Sequence, residues 1–363
     1  MVTQDYITSL MATADKLSEG FFSKFETFKS LSIYSFPKND YALYLSHSET
    51  STFCTCRRKW QFEYRDKIKP RAEKVYFFIG RLLHRAQEFY SFCRFNGFTP
   101  SSGAVIASFL VWSNKSLMQL EANTTGLPIA YYSYDQSVRL GVAILTEYFK
   151  HWPMPCEVFT LLGAPAIEVG FQVPLQTPSG GISNKFHRVG KADGLIIFAG
   201  KLFLRENKFL SSFDASSLKF LSSDPQTASY IYCLQRQYDL KIEGCLYDVC
   251  KKSSLRQKKD ENSDEFQERI VADYAARPDF YFERHYIFFD SRFVDEIGKS
   301  LGEMSKDMSD PYIYPANTFT CMRTNCHFQD ICTAPIDAQE DIKKSLYMPK
   351  FAKHEELAEE VPF

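Results

Sequence analysis

The chain has no excess of charge of either sign: 43 Lys and Arg stand against 44 Asp and Glu, a formal net charge of −1. No global field therefore draws it to a polyanion, and any such attraction must come from local patches. It has no apolar run long enough to span a membrane, and Met1 to Glu19 lacks a basic-then-apolar leader pattern. Those absences lead us to expect a soluble, intracellular, cytoplasmic protein with no membrane partner. There is no internal repeat and no Gly-x-x-x-x-Gly-Lys-[Ser/Thr] phosphate loop, so the chain carries no nucleotide-driven motor of its own. A secreted disulfide scaffold is also excluded. Of the ten cysteines, Cys93, Cys156, Cys233, Cys245 and Cys250 stand singly in apolar context, as buried thiols of a reducing compartment do.

What is present begins with size. At 363 residues the chain can form one large domain or two ordinary ones, with ample core. The 33 Phe and 21 Tyr exceed ordinary usage, enough to fill a core and leave some aromatic surface for stacking. Tyr6 to Phe28 is amphipathic. Ser46-His-Ser48 offers hydroxyl caps before an aromatic-rich run to Tyr64, and Gly80 to Glu88 has helical pattern with His84 and Glu88 at i, i+4. Ser101–Trp152 reads as helices alone. Strand-like runs follow at Ala166–Leu175, Val189–Phe198 and Lys201–Phe209, then a helix at Pro225–Tyr238 and a strand at Ile242–Cys250. A charged loop and a helix start occupy Lys251 to Glu268, followed by a strand at Tyr281–Phe289 and a helix at Phe293–Met308. Strands bracketed by helices around a central hairpin indicate an α/β (α+β) core with a mixed sheet, not a β-sandwich.

The hairpin carries the chemistry. Asp193 opens one apolar run, Ala199-Gly200 marks the turn, and the second run ends in Glu206-Asn207-Lys208. Residues two apart on a strand share a face, so Glu206 and Lys208 project together. Two carboxylates beside one ammonium suit a hard divalent cation and a polarised water, the requirement of phosphodiester hydrolysis. The bland reading of Glu-x-Lys is a solvated edge pair, but a charged pair at the end of so apolar a strand is costly unless it is used. Downstream, Gln226 and Tyr230 share a helical face, which by itself reads as surface polarity.

In this order the residues resemble the PD-(D/E)XK nuclease superfamily, and within it the RecB/AddB-type branch and the CRISPR-associated iron–sulfur single-strand exonucleases. The matching pieces are His84 in a Gly-x-x-x-His helix, Gly190-x-x-Asp193, Glu206-x-Lys208, Gln226-x-x-x-Tyr230, and Leu45-Ser-His-Ser48 with Phe53-x-x-Cys56-Arg-Arg-Lys-Trp. The resemblance covers about 43–335. Ala192 stands where the family's nominal motif has proline. The resemblance implies a restriction-endonuclease-like core and a metal-dependent DNase, an exonuclease on single strands or DNA ends. It implies Mg2+ or Mn2+ on Asp193, Glu206, the Asn207 carbonyl and His84, with Lys208 stabilising charge and Gln226 and Tyr230 supporting it or touching DNA. Glu168 reads first as structural pairing, with support behind the metal as the other reading.

Cys321-x4-Cys326-x5-Cys332 supplies three thiols, and three cannot fill a four-coordinate site. The resemblance implies that Cys56 completes a 4Fe–4S cluster, with Cys54 as rival. The spacing of the first C-terminal pair departs from the family's two or three intervening residues. Zinc is the alternative occupant, and His327 could replace one thiol. Implied partners are DNA and a separate helicase or recombination protein, in recombination, repair, spacer acquisition or phage DNA processing; a phage-encoded chain would work in the host cytoplasm. A different reading is an inactive DNA-binding scaffold that keeps the fold. The expected divisions are an N-terminal helical extension (1–42), a nuclease part carrying Cys56 and His84 (43–100), a helical insertion (101–155), the nuclease core (156–310), the cysteine segment (311–335) and a tail (336–363). Basic stretches at Arg57–Lys74 and Lys251–Lys259 are candidate backbone-binding surfaces with no base-reading pattern.

Overall fold

Two periodicities build the architecture: strands alternating at period two form a mixed sheet, and helices with apolar stripes cover both its faces. A computed structural model describes residues 16–31, 42–71, 75–123, 131–152, 156–177, 179–310, 312, 314–323, 326–350, 352–354 and 357. Helix α1 (Lys16–Leu31) buries Phe25 and packs Phe21, Phe22 and Phe28 beside it; the start of the amphipathic stretch, from Tyr6, lies outside the described residues. Strand β1 (Leu43–Leu45) leads to Ser46, whose hydroxyl caps α2 (His47–Thr55) by accepting the Glu49 N–H at 3.1 Å.

The aromatic run to Tyr64 is not one helix. Cys56 turns extended, a short turn follows at Arg57–Trp60, and a π-turn covers Gln61–Arg65. The break lets neighbouring rings serve different cores: Trp60 and Tyr64 join Phe53 and Tyr314, while Phe62 joins Phe328. The long helices α3 (Val75–Phe95), α4 (Ser102–Asn123) and α5 (Tyr131–His151) pack into a single core with α1 around Leu83, Phe89, Phe109 and Val142. Gly141 permits the approach of α4 and α5, because a Cβ there would stand 2.3 Å from the Phe109 ring.

The sheet comes next: β2 (Ile167–Gln176), β3 (Ile182–Phe198), β4 (Lys201–Leu210), helices α6 (Ala215–Phe220) and α7 (Pro225–Tyr238), β5 (Ile242–Lys251), α8 (Ser263–Ala276), β6 (Phe282–Phe288) and α9 (Ser291–Met308). The strands expected at 166–175, 201–209 and 242–250, and the helix at 225–238, fall within a residue of those observed. Strand β3 begins at Ile182 rather than Val189, and α9 at Ser291 rather than Phe293. Ala199 and Gly200 both have positive φ (49° and 72°), as a tight hairpin loop requires. The sheet order is β1-β3-β4-β5-β6, with β2 and the short strand Glu157–Val158 on the other side of β3. Strands β4 and β5 run parallel, joined by α7, and the remaining long pairs are antiparallel. Helices α7 and α9 cover one face; α3, α5 and α8 cover the other.

One feature of the register positions the site. On one side, β3 pairs with β1 at residues 186–188 and then with β4 at 194–198. Residues 189–193 face the gap between these two partners. Past β6 the chain runs back toward its N-terminal part: Tyr347–Pro349 pairs antiparallel with Ile68–Pro70, and Lys353 reaches the fully buried Glu49 at 2.9 Å. The acidic residues beyond Leu357 lie outside the described residues. Among the described residues no helix is long and apolar enough to cross a membrane.

Candidate active site

Asp193 sits at the edge of the β3 gap, one step past the last paired rung with β4, Gly194 to Arg205. No strand rung is left for the Asn207 N–H there. It donates to Asp193 Oδ2 at 2.7 Å, so the carboxylate takes the place of a backbone acceptor. Continuing the register by one residue sets Asp193 opposite Glu206, on the same face of the sheet. Glu206 and Lys208 also share that face, and Lys208 Nζ donates to Glu206 Oε1 at 2.7 Å. The N-terminus of α7 closes over them. Gln226 accepts from Lys208 at 3.2 Å and donates to Glu206 at 3.2 Å, bridging the pair. Asp224, the N-cap of α7, holds Gln226 by accepting its backbone N–H at 2.9 Å. His84 arrives from the opposite helical layer on α3, with Nδ1 3.3 Å from Asp193 Oδ2 and its ring edge-on to Phe209.

Burial dominates the electrostatics. It pushes the Glu206 carboxyl up to about 7, with the Asp193 charge adding to the rise and Lys208 opposing it. For His84 burial disfavours the charge, but the charge and hydrogen bond of Asp193 outweigh it and lift the imidazole to about 9. Asp193 is drawn below its ordinary value: burial resists, and His84, the Asn207 N–H and Lys208 prevail. Lys208 is raised likewise, since Glu206, Asp224 and Asp193 outweigh its desolvation. The protein thus neutralises a buried and a half-buried carboxylate with its own imidazolium and ammonium. Among the described residues no three His, Cys, Asp or Glu side chains already stand at metal-holding spacing. The donor chemistry nevertheless fits a hard divalent ion: two carboxylates on one face, Glu206 buried and Asp193 half-buried, compensated by groups of the protein that hydrogen-bond to them.

The other sequence candidates divide. Tyr230 is buried, its ring against Phe171 and His47 and its hydroxyl raised by burial, so it supports α7 and is not offered to solvent. Glu168 pairs with Lys29 of α1 and, at 3.1 Å, with Lys191. The four expected cysteines lie within electrostatic reach of one another. Burial and the charges of Cys56 and Cys326 raise the Cys321 thiol; burial, then Cys321, Cys56 and Cys326, raise Cys332 against the opposing Arg58. Cys56 Sγ accepts backbone N–H groups of Lys59 at 3.5 Å and Asn317 at 3.4 Å, bonds that suit a thiolate ligand. All four are free thiols, and among the described residues they form no group at metal-holding spacing. Cys54 is exposed and turns toward Met304 instead. Much of the first basic stretch is structural: the guanidiniums of Arg57, Arg58 and Arg65 lie over Phe53, Phe62 and Trp60, and Arg65 also binds the Tyr312 carbonyl. Lys251 is buried against Glu283.

Sequence reasoning missed three things here. Lys29 bridges Glu88, at 2.8 Å, and Glu168 behind the site. Arg188 is fully buried among Ser46, Thr50 and Ser229. Under β4 lies a network in which Asp248 receives Arg205 at 3.0 Å and Tyr148 at 2.6 Å. None of these has a local spacing signal.

Residues 44–333 match the sequence profile of the PD-(D/E)XK nuclease superfamily, well over half of the chain. The chain belongs to that superfamily. A solved structure titled "Crystal structure of SSO0001" is similar at 13% identity over 88% of this chain and 97% of that one, with a TM-score of 0.30. No curated protein matches the chain. As a PD-(D/E)XK protein it has the mixed α/β core expected from the sequence, and the superfamily implies a nuclease, a phosphodiester hydrolase that typically uses Mg2+ or Mn2+ and acts on DNA. The matched span contains Cys56, His84, Asp193, Glu206, Lys208, Gln226, Cys321, Cys326 and Cys332.

Proposed function

We propose that this protein is a divalent-metal-dependent deoxyribonuclease of the RecB/AddB-type branch, acting as an exonuclease on single-stranded DNA or DNA ends. The observation that carries this reading is the hydrogen-bonded group Glu206, Lys208 and Gln226 at the β3 gap, with Asp193 held beside it by the Asn207 N–H and by His84. Asp193, Glu206, the Asn207 carbonyl and His84 would hold a Mg2+ or Mn2+ ion, which supplies Lewis-acid polarisation of the scissile phosphate and a more acidic water. Lys208 stays an ammonium at neutral pH, because the surrounding carboxylates outweigh its desolvation. It therefore stabilises negative charge developing on the phosphoryl oxygens and does not act as the proton acceptor. Gln226 fixes that ammonium against Glu206, so the donor is oriented before substrate arrives.

A 4Fe–4S cluster on Cys56, Cys321, Cys326 and Cys332 belongs to the same reading. What supports it is that the four thiols lie within electrostatic reach of one another and that two N–H groups point at Cys56 Sγ. The cluster would fasten the segment after β1 to the segment after α9.

The test is cleavage of end-labelled single-stranded DNA with Mn2+. Asp193→Ala and Lys208→Ala are expected to lose activity by two orders of magnitude or more, on the scale of a lost transition-state charge stabiliser, while retaining DNA binding. Wild-type protein that binds DNA but cuts none with any divalent ion would favour the non-catalytic scaffold.

A further inference from the structure

The segment between β4 and α7 borders the Lys208–Glu206–Gln226 group. It holds α6 and the turn Leu221–Ser223, and neither contains a buried side chain. Its backbone is nevertheless fastened. Asp214 caps α6 by accepting the Ser217 N–H at 2.8 Å, and Tyr247 Oη donates to the Leu221 carbonyl at 3.2 Å. The same hydroxyl lies 3.1 Å from Asp224 Oδ2, so the turn is pinned to the N-cap of α7. At its far end the segment runs into Asp224, which holds Gln226.

On this fixed perch Phe220 is 69% exposed and Leu218 is 37% exposed. A single exposed apolar residue is ordinary; this one stands on the segment that leads into Asp224 and Gln226, whereas exposed rings at the sheet's edge are covered. Phe198 stacks on Tyr286, Phe288 meets Phe203 and Lys201, and Phe280 carries Lys251 and Arg277. Phe220 has no ring or cation partner among the described residues. Beside it in sequence Lys219 is exposed and can meet a neighbouring phosphate.

From this placement we infer that Phe220 is a stacking platform for one unpaired nucleobase of the substrate strand, adjoining the phosphate served by Lys208. A flat apolar ring matches the face of any base, which gives affinity without sequence preference. A paired base already stacked in a duplex cannot use it, so the platform selects single strands and frayed ends. The inference rests on the nuclease reading above and deepens it with a substrate class.

The test uses fluorescein-labelled oligothymidylates, each with one abasic position moved along the strand, titrated by anisotropy in EDTA so that no strand is cut. Wild-type protein should lose on the order of tenfold in affinity at one abasic position or two adjacent ones. Phe220→Ala should bind the intact strand about that much more weakly and show no dependence on abasic position, whereas Phe220→Trp should keep the wild-type profile. With Mn2+ present, Phe220→Ala should raise KM by the same factor and change kcat far less. Since α6 buries no side chain, the melting temperature of Phe220→Ala should match the wild type's. Affinity of Phe220→Ala within about twofold of wild type, or an abasic profile that it leaves unchanged, overturns the proposal. A wild-type protein that cuts no DNA overturns the nuclease reading instead, and the abasic profile still decides whether Phe220 stacks a base.

Discussion

At Asp193 and Glu206 the fold places two carboxylates where burial alone would protonate one of them, and His84 and Lys208 supply the missing positive charge. That compensation has a pH signature in the ion-free protein. The His84 imidazole is lifted from an ordinary 6.5 to about 9, so its protonated form stabilises the fold fully below pH 6.5. The contribution is lost as pH rises through 9. Glu206, lifted from 4.5 to about 7, favours the folded state while protonated, and its share fades between those values. In a chelating buffer the melting temperature is therefore expected to decline from pH 6.5 to 9, and His84→Ala should flatten that decline; a slope unchanged by the substitution would separate His84 from Asp193. Short spacing made Glu206-x-Lys208 legible in the sequence, whereas His84 and Gln226 joined it only through the family resemblance. Lys29 was not legible. Its partner Glu168 lies 139 positions away, and no local pattern encodes that meeting.

Elements were the most readable level. β2, β4, β5 and α7 appear almost residue for residue, because their apolar runs are long and bounded by turn or cap signals such as Ala199-Gly200 and Asp224-Pro225. The failures lie where tertiary packing overrides local pattern. The run 47–64 breaks at Cys56 so that its rings can enter two cores, and β1 is three residues long, defined only by its pairing with β3. Helix α9 depends on an equally long-range fit. A Cβ on Gly302 would stand 2.0 Å from the Gln176 carbonyl at the end of β2, a backbone atom that cannot rotate away. Gly302→Ala must lift α9 from the sheet and should cost about 1–3 kcal/mol in urea unfolding, the range for overpacking. A cost near zero would mean that α9 sits less tightly against β2 than described.

Over the whole molecule, the chain returns to its beginning. Tyr347–Pro349 pairs with Ile68–Pro70, Lys353 reaches Glu49, and Cys56 lies within electrostatic reach of Cys321, Cys326 and Cys332. The sequence revealed the three C-terminal cysteines by spacing, but only family resemblance linked them to Cys56. If the four bind a cluster, protein purified without oxygen should be brown, and Cys332→Ser should lose both colour and iron. Colourless protein with stoichiometric zinc would assign the thiols to zinc. The site at the β3 gap stands apart from that staple and depends on one convergence: Asp193 from the gap, Glu206 from β4. The most direct measurement is a Mn2+ titration followed by the paramagnetic resonance of the free ion. Wild-type protein should take up Mn2+, with Asp193→Ala and Glu206→Ala each weakening that uptake strongly and DNA cleavage rising in step with occupancy. Uptake unchanged by either substitution, or DNA cleavage that persists in a chelator, would contradict a metal-dependent nuclease built on these two carboxylates.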